Sequence, residues 1–106
     1  MTTFDDREQA FEKKYAHDEE MRFKAEARRD KLLGLWAAGL MGIEGEAADE
    51  YARSVVIADL EEAGDEDVYR KVAADLEAKG VSTEGLRAKM NELLAEAKVQ
   101  IMSDRR

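Results

Sequence analysis

Proline is absent from all 106 residues of this chain. Proline breaks helices because it lacks an amide donor and clashes with the preceding turn. A proline-free chain of this length, rich in Ala, Glu, Lys and Leu, therefore points to helices. The length is enough for one domain, in which roughly 60–70 % of the unfolded surface can be buried. Charged residues make up 40 % and hydrophobic residues 44 %. The apolar residues recur at helical spacing, which separates most of the chain from disordered sequences of similar charge.

Four helical segments follow from that spacing. Thr3-Phe4-Asp5-Asp6 reads as a helix start, with Thr3 as N-cap and Asp6 three residues on. From Met21 an apolar stripe of Met21, Ala25, Leu32, Trp36 and Leu40, flanked by Leu33 and Leu35, runs to an end near Gly42. The second helix is expected from about Glu46 to Ala63, with Ala48, Tyr51, Ala52, Val55, Val56 and Leu60 inward and Gly64 after its end. Asp65 is expected to cap a short third helix with Val68, Val72 and Leu76 inward and Gly80 beyond its end. Ser82 is expected to cap the last helix, where Leu86, Met90, Leu93, Leu94, Ala97 and Ile101 are the inward set. Ala58-Asp-Leu-Glu-Glu-Ala-Gly64 and Ala74-Asp-Leu-Glu-Ala-Lys-Gly80 read as one helix-ending pattern used twice. Gly34, inside the first helix, is expected to admit a neighbouring helix closely.

The expected fold is all-α: a compact antiparallel four-helix bundle with a protruding, mobile N-terminal arm. A continuous helix from Phe4 to Met41 would be roughly 57 Å long, whereas a small domain spans about 30 Å. Residues before about Glu20 must therefore protrude, fold back or stay disordered, and with only Phe4, Phe11 and Tyr15 as large apolar groups they gain little by packing on their own domain. The division is thus an arm over 1–18 and a bundle over 19–106. Offsets of seven and eleven residues bring the three aromatics within about 40° of one another on a helix. A narrow aromatic stripe between charged flanks has the form of a helix laid into a partner's groove, although the same residues could cap the end of the bundle.

Charge and composition remove several functions. A net charge of −8 opposes binding to nucleic-acid phosphates or to an anionic membrane surface. No apolar run reaches about 18 residues, so no membrane insertion is expected. The start, Met-Thr-Thr-Phe-Asp-Asp, is unlike a secretory signal. Without cysteine there is neither disulfide nor thiolate chemistry. His17 is the single histidine and has no partner pattern for catalysis or a bundle metal site; it reads as an exposed residue at a hinge, with pH sensing beside Asp18, Glu19 and Glu20 as the sharper role. The acidic run Asp59, Glu61, Glu62, Asp65, Glu66 and Asp67 lacks calcium-loop spacing and reads as a solvated helix junction. Gly39, Gly42 and Gly45 have neither the preceding strand nor the Lys-Ser/Thr ending of a phosphate loop. Arg22, Lys24, Arg28, Arg29 and Lys31 form the one basic cluster, and i,i+4 pairing with Glu26 and Asp30 accounts for much of it.

Three stretches carry a resemblance: Thr2-Thr-Phe-Asp-Asp-Arg-Glu8, Phe23-Lys-Ala-Glu-Ala-Arg-Arg-Asp-Lys-Leu-Leu-Gly-Leu-Trp-Ala-Ala-Gly39, and Glu61-Glu-Ala-Gly-Asp-Glu-Asp-Val68. Together they closely resemble the zeta subunits of the alphaproteobacterial F-type ATP synthase, along essentially the whole chain. The resemblance implies a non-enzymatic, cytoplasmic ATPase inhibitor, peripheral to the inner membrane through the synthase and monomeric when free. It implies a bundle with a mobile inhibitory segment that enters the catalytic head between the nucleotide-binding subunits, close to the central rotor, and blocks rotation in the hydrolysis direction. Carried onto this sequence, that segment is Thr2 to about His17, with Thr3, Phe4, Asp5, Asp6, Arg7, Phe11, Lys14 and Tyr15 as partner-binding residues and His17 and Asp18 as the hinge. No cofactor is expected; weak ATP or ADP binding is implied by the resemblance alone. The competing readings are a helical adaptor for a different partner and an adenine-nucleotide-sensing module.

Overall fold

A computed structural model of the chain describes residues 19–61 and 65–104. Among them are four α-helices and no strand: α1 Glu19–Leu40, α2 Glu46–Glu61, α3 Glu66–Ala78 and α4 Leu86–Asp104. The all-α fold and the number of helices match the sequence reading. The expected helix start at Thr3, and the stretch of the second helix beyond Glu61 with Gly64, lie outside the described residues.

Two of the helix ends use glycine as the sequence implies. After α1 the amides of Gly42 and Ile43 donate to the carbonyls of Gly39 and Ala38, and after α3 those of Gly80 and Val81 donate to Glu77 and Leu76. Gly42 has φ +75° and Gly80 φ +72°, a conformation that costs other residues a Cβ clash. Val81 then turns back onto the core. The starts differ from expectation. Asp65 precedes α3 but makes no side-chain cap, because its carboxylate accepts a bond from Arg29 instead. The Ser82 hydroxyl accepts from the Glu84 amide at 3.1 Å, a turn ahead of the helix proper.

α1 is the central helix. It packs along α2 and α4, while α3 closes the bundle against α2, α1 and α4. The main core contains Leu33 and Ala37 of α1, Val55 of α2, Val68, Val72 and Leu76 of α3, and Leu86 and Met90 of α4. Trp36, Tyr51, Tyr69 and Leu93 pack around it, half-buried. A smaller cluster of Met21, Ala25 and Ile101, with Met102 against it, joins the start of α1 to the end of α4.

The inward face of α1 is rotated from the stripe read in the sequence. The buried positions run 21, 25, 29, 33, 37 and, beside them, 30, 34, 38. Two adjacent i+4 rows let α1 face α2 and α4 at once. The bulky Leu32, Leu35 and Trp36 line the edges, and Leu40 is left 46 % exposed. Leu60, also expected inward, is 59 % exposed, and Leu94 is half-buried. For α1 and α2, small residues on the facing surfaces explain the difference: Gly34 lies directly against Ala52, and close backbone approach leaves no depth for leucines there.

Candidate functional site

The partner-binding residues singled out in the sequence, Thr3, Phe4, Asp5, Asp6, Arg7, Phe11, Lys14 and Tyr15, and the hinge residues His17 and Asp18, lie outside the described residues. What the structure describes is the bundle from the start of α1 onward. Met21 and Ala25 anchor the first turns of α1 on Ile101, and the Arg28 guanidinium donates to Gln100 Oε1 at 3.1 Å. α4 therefore holds α1 from Met21 onward.

The middle of α1 carries a polar centre that sequence reasoning missed. Arg29 is 1 % exposed and Asp30 0 % exposed. Arg29 Nε donates to Asp30 Oδ1 at 2.7 Å, and one terminal nitrogen donates to Asp65 Oδ1 at 3.0 Å and stands 3.9 Å from Asp59 Oδ2. Burial opposes the Arg29 charge, but its bonds to Asp65 and Asp30 prevail and hold the guanidinium above its ordinary value. Burial, and then the facing Asp59 carboxyl, push Asp30 up to about 8 against the pull of Arg29. Two sequence readings are corrected here. Arg29 pairs with its neighbour Asp30 and with Asp65 rather than at i,i+4, and Asp59 and Asp65 are not merely a solvated junction. The signal was available: Arg29 sits in the i+4 row between Ala25 and Leu33, where a charge demands partners.

Other charges pair along and between the helices. Arg87 bridges to Glu66 at 2.9 Å and stacks over the Tyr69 ring at 3.9 Å, tying α4 to the start of α3. Tyr51 donates its hydroxyl to Asp75 at 2.8 Å, which Lys71 also approaches at 3.0 Å. Burial first, and that acceptor second, raise the Tyr51 hydroxyl well above its usual value. An open groove between α2 and α3, about 790 Å³, is lined by Ser54, Ile57, Ala58, Glu61, Asp67, Arg70 and Lys71. Its cations already have carboxylate partners, Arg70 with Asp67 and Lys71 with Asp75. Among the described residues no group of three or more His, Asp or Glu is arranged to hold a metal, and no helix is long and apolar enough to cross a membrane.

The comparisons agree with this architecture. A structure solved by solution NMR is 54 % identical, covers 79 % of this chain and 98 % of its own, and superposes with a TM-score of 0.71. No curated protein matches. A family model described as ATPase inhibitor subunit zeta matches residues 1–100. That match spans most of the bundle and the segment before it, and the chain belongs to the zeta family of ATPase inhibitor subunits, which regulate an ATPase and are not themselves catalysts.

Proposed function

We propose that this chain blocks ATP hydrolysis by the F-type ATP synthase by wedging its N-terminal segment, Thr2 to about His17, into the catalytic head. The segment enters between nucleotide-binding subunits beside the central rotor, and the bundle stays outside as a bulky stop. The carrying observation is that the family match begins at residue 1 and so includes the polar, aromatic-bearing segment that precedes the bundle's own core. Stopping a rotary machine needs an ordered element between parts that must move. It needs no bond chemistry. Phe4, Phe11 and Tyr15 supply the apolar contact, and Asp5, Asp6, Arg7 and Lys14 supply its charged flanks. His17 and Asp18 form the hinge to α1, and the protein is held at the membrane only through the synthase.

An ATP hydrolysis assay on the purified cognate synthase tests this reading. The full chain inhibits; a chain beginning at Asp18 folds but leaves hydrolysis unchanged. Equal inhibition by the two would place the contact on the bundle.

A further inference from the structure

Asp30 Oδ1 has its partner in Arg29, but Oδ2 is buried with no donor facing it. The Asp59 carboxyl of α2 stands 3.9 Å from the same Arg29 guanidinium and is the acid that helps raise the Asp30 carboxyl. An ionised carboxylate only accepts, so two facing each other leave both lone pairs unmet unless a proton lies between them.

Among the described residues the cation bonded to Asp30 is Arg29. α1 supplies Arg29, α2 supplies Asp59, and the start of α3 supplies Asp65. From α4 the polar group described against this part of α1 is Gln100, which is neutral and accepts from Arg28. One guanidinium is thus divided among three carboxylates. Asp65 is 52 % exposed and is screened by water, whereas Asp30 has no exposure at all.

We propose that Asp30 and Asp59 form a single proton-binding site, a latch that holds the end of α2 and the start of α3 against α1 and tightens as pH falls. The site joins three helices: Asp30 is in α1, Asp59 is two residues before the end of α2, and Asp65 immediately precedes α3.

The direction follows from proton counting. In the closed bundle burial and Asp59 hold the Asp30 carboxyl at about 8. When the junction opens and water reaches Asp30, its carboxyl returns to about 4 and releases the proton. Between about pH 4 and pH 8 the closed form therefore binds more protons than the open form. Across that window each unit of acidification lowers the open population about tenfold; above about pH 8 the dependence levels off. Near-neutral pH lies inside the window.

Two measurements on the full chain test the latch. Carbon-13 NMR of the Asp30 carboxyl carbon should show its proton lost with a midpoint near pH 8. Hydrogen exchange, corrected for the intrinsic base dependence, should report about tenfold fewer openings at pH 6.5 than at pH 7.5. The amides to follow are those of the last turn of α2 and that of Tyr69, which donates to the Asp65 carbonyl. Asp30→Asn carries a permanent donor toward Asp59 and should keep the acid-form protection at both pH values. An Asp30 carboxyl titrating wholly below pH 5, or a tenfold slope that persists in Asp30→Asn, overturns the proposal. If that variant does not fold, the carboxyl titration of the native chain decides alone.

Discussion

The backbone of Ala52 occupies the space that any side chain at residue 34 would need. A Cβ placed on Gly34 would lie 2.5 Å from Ala52 Cα and 3.0 Å from its Cβ. α1 and α2 are therefore in backbone contact at this point, and the pairing of the two helices is set there.

The consequence is testable with Gly34→Ala. Helix propensity favours alanine by about 1 kcal/mol. The clash is with backbone, which cannot rotate away, and overpacking of this kind costs about 1–3 kcal/mol. The net expectation is destabilisation, seen as a lower urea midpoint. Adding Ala52→Gly removes only the more distant Cβ and should not restore the midpoint.

Arg29 should be irreplaceable even by lysine. Its fork reaches Asp30 through Nε and Asp65 through a terminal nitrogen, and an ammonium cannot span both. Arg29→Met leaves carboxylates without their cation and should cost about 3–5 kcal/mol at pH 7. Arg29→Lys should fall between that variant and the native chain. Urea midpoints at unchanged slope measure both.

Asp30→Asn should respond to pH in the opposite sense to most carboxylate losses. The Asp30 carboxyl is raised to about 8 in the fold, so its contribution is fully present below about pH 4 and is lost as pH rises toward 8. The variant lacks that loss. Its melting temperature should therefore gain on the native chain between pH 6 and pH 8. A variant that falls further behind over this range would show that Asp30 acts as an ionised partner of Arg29.

Leu76 and Leu94 should separate clearly. Leu76 has no exposure and lies in the main core, so Leu76→Ala should cost about 2–5 kcal/mol. Leu94 is half-buried, and Leu94→Ala should cost about 1–2 kcal/mol. Chemical denaturation of both variants checks the ranking.

Phe11 and Tyr15 should matter for inhibition and not for the bundle. The described core clusters draw on residues from Met21 onward. A chain carrying Phe11→Ala and Tyr15→Ala should denature within about 0.5–1 kcal/mol of the native chain yet inhibit hydrolysis far more weakly. Lost stability with retained inhibition would assign the two aromatics to the bundle.

The helices and their approximate limits were legible in the sequence because they rest on local chemistry. A missing proline, helical spacing of apolar residues and glycines able to turn left-handed all act within a few residues of where they stand. Gly42 and Gly80 end helices as read, and Val68, Val72 and Leu76 face inward as read. Gly34 was also legible as a close-approach position, though not which residue it would meet.

Tertiary structure decided the rest, because it depends on residues far apart in the chain. Burial of Arg29 becomes intelligible only when Asp59 and Asp65 arrive, 30 and 36 positions later, and Asp65 gives up its capping role to meet it. Leu40 and Leu60 satisfy the helical period but are exposed, since small residues bring α1 and α2 together along a neighbouring row. Periodicity identifies a face only to within the width of one side chain. Which of two adjacent rows is buried is chosen by the partner helix, through the depth its side chains leave and the charges it brings.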